Sequence, residues 1–132
     1  MAKRASITIK RAYDPPAAAD GQRILVDRLW PRGLKKDSVR IDAWLRDVAP
    51  STKLRQWFGH DPARWKQFVM RYRRELRSPS AAEAIEQLRS AAKSGRLTLV
   101  YAAKDEVHND AVVLRDFLLS PRPRAAARRR AD

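Results

Sequence analysis

Apolar residues recur along this chain with two different periods, and the places where one gives way to the other mark its elements. From Ser6 to Tyr13, Ile7, Ile9 and Tyr13 alternate with polar residues, which predicts a strand near a sheet edge, ended by Asp14-Pro15-Pro16. Ile24-Leu25-Val26 has no alternation and predicts a strand covered on both faces. Trp30-Pro31-Arg32-Gly33 is a turn-rich segment that cannot continue it. A second uninterrupted apolar strand is predicted at Leu97-Thr98-Leu99-Val100-Tyr101.

Between these strands the period is helical. Ile41, Trp44, Leu45 and Val48 have helix spacing, and Pro50 closes that segment. Ser51 can cap a short helix carrying Leu54, Trp57 and Phe58, with Gly59 as its stop. Asp61-Pro62 is a start signal for a helix with an apolar stripe of Trp65, Phe68, Val69, Tyr72 and Leu76. Ser80-Ala81-Ala82-Glu83 has capping-box spacing and opens a helix with Ile85, Leu88 and Ala92 inward. Val113, Leu114, Phe117 and Leu118 form the apolar face of a last helix.

The order strand, strand, helices, strand, helix predicts an α/β fold: one small domain over residues 1–120, with a short, mostly parallel sheet packed with four to five helices. A right-handed crossover makes the second and third strands parallel. Residues 121–132 form a low-complexity basic tail with almost no large apolar side chain and are expected to be disordered.

Composition narrows the functions available. Cysteine is absent, which removes disulfides, thiol catalysis, Cys-ligated zinc and iron–sulfur clusters. No apolar run approaches the roughly 20 residues of a membrane span, and the N-terminus has no apolar signal core, so a cytoplasmic protein with no membrane contact is expected. The net charge is +14. The tail holds Arg122, Arg124, Arg128, Arg129 and Arg130 against Asp132, and the 64–77 helix carries six cations against Glu75. Such a balance favours non-specific contact with nucleic acid, although no helix-turn-helix, RNA-recognition or zinc-finger pattern is present. A solvated tail without a dedicated partner is the plainer reading.

The candidate chemistry lies where each apolar strand runs into a charged loop, because ligands of open α/β sheets bind beyond the carboxyl ends of the strands. In the first loop, Asp27 and Arg28 follow the buried strand directly, and Arg28 can clamp phosphate or carboxylate or pair internally. Trp30 and Arg32 complete that loop; Trp30 can wall a pocket or anchor the loop on the sheet. In the second, Lys104 and the start of the following helix favour an anion, while Asp105, Glu106 and Asp110 can cap that helix themselves. The loop has no glycine and is neither a Walker loop nor a dinucleotide fingerprint. His60 and His108, the only histidines, each have an acid nearby, Asp61 and Asp105. They are the candidates for general acid–base work, and their spacing fits no strong metal motif.

Four stretches resemble the YeaO-like family, a bacterial domain of unknown function numbered 488. They are Arg23 to Gly33 (with Asp27-Arg28-Leu29-Trp30-Pro31-Arg32), Trp44 to Ser51, Leu54 to Pro62 (with Trp57-Phe58-Gly59-His60-Asp61) and Leu99 to Asn109. The resemblance spans about residues 5–119 and implies a compact α/β domain of bacterial cytoplasm, with no activity to carry over. Broader relatives often place a cysteine in the loop after the last strand; here Ala102 and Ala103 stand there, so thiol chemistry cannot operate.

The expected function is binding of a small phosphate- or carboxylate-bearing ligand at the ends of the strands. Asp27, Arg28, Trp30, Arg32, Tyr101, Lys104 and Asn109 would bind it, and His60, His108 and Asp105 would serve catalysis if the protein is an enzyme. The alternative is a non-enzymatic module that senses a metabolite or associates with nucleic acid. No metal and no cofactor are expected.

Overall fold

The layers follow from which way alternate strand residues point. In the computed structural model, which describes residues 6–120, four parallel strands form one sheet. They are β1 (Ser6–Arg11), β2 (Gln22–Leu25), β3 (Ala43–Trp44) and β4 (Arg96–Tyr101), in the spatial order β1-β4-β2-β3. The last strand in sequence is therefore central, with Leu99 level with Ile9 on one side and Ile24 on the other. Ile7, Ile9, Ile24, Val26, Leu97, Leu99 and Tyr101 join the main core with the helices. Leu25 and Val100 join Ala12 and Val39 in a smaller core, against which Trp30, Leu34, Ile41 and Trp44 pack. This two-sided cover is what the non-alternating apolar residues Ile24-Leu25-Val26 and Leu99-Val100-Tyr101 require.

Among the described residues five α-helices accompany the sheet: α1 (Lys36–Val39), α2 (Thr52–Phe58), α3 (Trp65–Leu76), α4 (Pro79–Ser94) and α5 (Asp110–Leu119). Ser51 caps α2, its Oγ accepting the Leu54 N–H at 3.1 Å, and Gly59 ends that helix in the left-handed region. Phe68, Tyr72 and Leu76 are the buried edge of α3, and the Tyr72 hydroxyl donates to the Val48 carbonyl. Among the described residues no helix is long and apolar enough to cross a membrane.

Three local expectations are corrected. Ile41 to Val48 do not form a helix: Ala43–Trp44 are β3, and Arg46–Val48 a single 3-10 turn. So short a segment gains little from helix formation. The open edge of β2 takes it instead, through Asp42 N–H to the Arg23 carbonyl at 2.7 Å and Leu45 N–H to the Leu25 carbonyl at 3.0 Å. Next, α4 starts two residues earlier than the Ser80 box, with Ser78 preceding Pro79 in the first position, where proline's missing N–H costs nothing. Finally, β1 stops at Arg11, and Tyr13 is exposed beyond it. The basic tail lies outside the described residues.

The step from β1 to β2 crosses over β4, and polar chemistry fixes it there. Asp20, in the crossover, is met by Lys10 Nζ at 3.1 Å and by Arg23 Nη1 at 2.6 Å, and it also accepts the Ala17 N–H at 2.9 Å. Burial alone would raise the Asp20 carboxyl; the Ala17 N–H, Lys10 and Arg23 outweigh it and hold the group below the usual carboxylate range. The stability this adds is present above the unfolded pKa and is lost as pH falls through the folded one. Thr98 Oγ1, in the middle of β4, donates to the Asp20 carbonyl at 2.6 Å. Arg23 is buried and donates onward to the Val39 carbonyl from Nη2 at 2.7 Å.

Gly21 is where the crossover touches the sheet. Its φ is +67°, and a Cβ there would lie 2.3 Å from the Arg96 carbonyl oxygen. Gly21→Ala is therefore expected to cost about 2–4 kcal/mol, from a strained dihedral plus a backbone collision. Gly33→Ala, at φ +81° with nothing within 4 Å, carries the dihedral cost alone, about 1 kcal/mol. Denaturant melts of the two variants measure the difference; equal losses would mean that the crossover does not press on β4.

Candidate functional site

Because β2 and β4 are neighbours and parallel, the loops that leave them emerge side by side. Asp27 joins them: its Oδ2 accepts the Ala102 N–H at 2.9 Å, and its carbonyl accepts the Trp44 indole N–H at 2.7 Å. Arg11, at the end of β1, holds the second loop from the other side, with Nε donating to the Ala103 carbonyl at 2.8 Å. A cavity of about 610 Å³ opens between these loops, closed on its far side by Pro50, Phe58 and Phe68.

Most of the sequence candidates line this one cavity: Asp27, Arg28, Trp30, Arg32, His60, Lys104, Asp105, His108 and Asn109. Tyr101 does not. It lies in the main core, 2% exposed, where strand alternation sends it to the helix side. Arg28 is half-buried and reaches the Pro50 and Ala49 carbonyls only at 3.3 and 3.4 Å, which leaves donors of its guanidinium for a further partner. Glu75, an acid that could have paired with Arg28 internally, is engaged instead by Ser51, accepting from its N and Oγ at 2.8 and 2.6 Å. Trp30 does both things its position allowed. Its indole N–H donates to the Leu34 carbonyl at 2.7 Å, its ring meets Trp44 edge-on at 5.5 Å, and it also walls the cavity.

The two histidines differ. His108 is oriented: Nδ1 lies 2.9 Å from Asp105 Oδ2, and its ring meets Trp65 edge-on. Asp105 also accepts the Val107 and His108 N–H groups, and these bonds with His108 hold its carboxyl at about 2. His60 is exposed and follows Gly59 in the left-handed region, with φ values of 53° and 58°. Such a conformation is uncommon for a side-chain-bearing residue and clusters at functional sites.

The start of α5 is not an open anion seat. Asn109 is buried, its Oδ1 accepting the Val112 N–H at 3.0 Å and its Nδ2 donating to the Asp105 carbonyl at 2.9 Å. Asp110 accepts its own N–H and that of Ala111. Asp110 also lines the cavity, although its position in the sequence marks it only as a cap. Burial, the Asp27 charge and a hydrogen bond between the two side chains push its carboxyl well above the usual carboxylate range. The signal was present: each acid directly follows the segment leaving an apolar strand, but their meeting needs β2 and β4 to be adjacent. Among the described residues no three His, Asp or Glu side chains are grouped as metal ligands.

A raised carboxyl in the folded state contributes its stability in full below the ordinary value of 3.8 and loses it as pH rises through the folded value. Asp110→Asn keeps the hydrogen bond to Asp27 and removes the ionisation. It is expected to melt higher than the parent at pH 7 by roughly 3–5 °C, the scale of ~1 kcal/mol in a domain of this size. The gap should close below pH 4. A variant less stable at both pH values would contradict the raised Asp110 carboxyl.

The sequence matches the family model described as the inactive DUF488-N3 subclade over residues 6–131. It is 43% identical to the uncharacterized protein YeaO of Escherichia coli over 115 residues, covering 87% of this chain and 98% of YeaO. It is 37% identical over 118 residues to an uncharacterized protein of Mycobacterium tuberculosis, covering 89% of this chain and 98% of that one. No solved structure matches it. Two independent likenesses running nearly end to end place the chain in the YeaO-like DUF488 family.

Proposed function

We propose that the cavity binds a small anionic ligand with a flat apolar body, and that the protein acts as a binding module rather than turning the ligand over. The carrying observation is the composition of the cavity wall. Arg28, Arg32, Arg55 and Lys104 surround a space walled by Trp30, Phe58 and Phe68. The acids within it are largely spent. Asp105 is engaged by His108 and two N–H groups, and burial beside Asp27 pushes the Asp110 carboxyl up, towards its neutral form. The field left for a ligand is positive, and phosphate or carboxylate is the group it suits. The word "inactive" in the description of the matching subclade supports binding without turnover.

A catalytic reading has one observation of its own, the His108 imidazole held by Asp105 at 2.9 Å, an arrangement that orients a general base. The two readings part on the product: binding leaves a phosphate ester intact, whereas catalysis releases inorganic phosphate.

Calorimetric titration with phenyl phosphate and with benzoate tests the proposal. The expected result is a one-site isotherm for at least one probe, weakened roughly tenfold or more in Arg28→Ala, which is ~1.4 kcal/mol. Phenyl phosphate should be recovered unchanged after incubation. Absence of binding at millimolar probe, or an isotherm unaltered by Arg28→Ala, would overturn the site. Release of phosphate that His108→Gln abolishes would replace the binding reading with the catalytic one.

A further inference from the structure

The cations of α3 gather on one side of the helix. Lys66, Arg73, Arg74 and Arg77 follow one another at intervals of seven, one and three residues, which sets them within about a quarter-turn of one another. From Lys66 to Arg77 the row runs roughly 16 Å at 1.5 Å per residue. Lys66, Arg74 and Arg77 are exposed, and so is Met70, which lies within the same row. Arg71 flanks it, held over the Trp57 ring at 4.3 Å, and Arg73 is held over the Phe117 ring at 5.4 Å. Guanidinium groups stacked in this way keep their N–H edges free to point outward.

A basic helix normally carries acids among its cations as i, i+4 partners. Here Glu75 is the only acid between Trp65 and Leu76, and it is turned away: both its oxygens accept from Ser51, at the start of α2. The row is thus left without an acid of its own helix. Asp61, ahead of the helix, pairs at 3.8 Å with Arg64 and not with the row.

We infer that the outer face of α3 is a nucleic-acid contact that reads the phosphate backbone of a duplex without reading bases. The row has the regular, one-sign character of a phosphate-tracking surface. It offers no aromatic on its outer side to stack an unpaired base, because Trp65, Phe68 and Tyr72 point into the core. Met70 is its only large apolar side chain, too little to insert into a lipid surface or to anchor a protein partner. The row does not depend on the cavity, so this contact stands or falls separately from the ligand proposed above.

The test compares the full-length parent with a full-length triple variant, Lys66→Gln, Arg74→Gln, Arg77→Gln, in binding to a fluorescent 20-base-pair DNA duplex over a salt series. These three side chains are exposed, so the melting temperature serves as a control for folding. The parent should bind with a steep loss of affinity as salt rises. The variant should bind at least tenfold more weakly at low salt, with a slope of log affinity against log salt shallower by about 2–3, near 0.9 per phosphate contact removed. The basic tail is intact in both proteins, so an unchanged affinity and slope would assign the contact elsewhere and overturn the inference. So would failure of the parent to bind. Vesicles containing phosphatidylserine are titrated alongside; binding to them through the same three residues, without binding to the duplex, would overturn it in favour of a membrane surface.

Discussion

The Asp20 carboxylate is the point to which the sheet is tied. It meets Lys10 of β1 and Arg23 of β2, its own carbonyl takes the Thr98 hydroxyl of β4, and Arg23 carries the network on to the end of α1. A buried ion pair of this kind is not a large net source of stability, but removing one partner costs about 3–5 kcal/mol because the other is left buried and unpaired. Its value here is geometric. A ten-residue crossover passing over a central strand has to be held down, and a carboxylate with three donors does so at one defined place. The polar lock sits at the start of β2 and in the middle of β4, short of their carboxyl ends. Those ends are released to carry loops of unusual shape, and the cavity is there.

Much of the fold was legible in the sequence because it is local. The non-alternating apolar residues at 24–26 and 99–101 require cover on both faces, and they have it. Ser51, Gly59 and Asp61 act at the helix ends where their side chains or backbone freedom suit them. What was not legible is decided at long range. The segment Ile41 to Val48 has helical spacing yet supplies an edge strand, because β2 offers it an unpaired backbone edge. The strand order was hidden for the same reason, since nothing near β1 in the sequence says that the next strand will skip a place and leave room for β4.

The site was legible to the same extent. The strand-end loops meet in space, and nine of the ten candidate side chains line one cavity. Tyr101 fails by strand parity alone. Asp110 went unseen as more than a cap because its significance is a pairing with Asp27, and that pairing exists only when β2 and β4 are neighbours. Phe58, Phe68 and Arg55 are brought in by α2 and α3, whose stripes read from sequence as ordinary core. Asn109, by contrast, reads as a ligand group and is fully engaged in closing its own loop.

Glu75 does two unrelated things at once, and this limits how the surface can change. Its oxygens secure the first turn of α2, and by doing so they leave the outer face of α3 with one sign of charge. A lysine or arginine at position 75 would add a cation to the helix and strip the beginning of α2 of its acceptor. A shorter acid would draw Ser51 inward or let go of it. Variation in the electrostatics of α3 is therefore open at its exposed positions and closed at the one acidic position, so the pattern of charge on this helix is partly an inheritance from the packing of its neighbour.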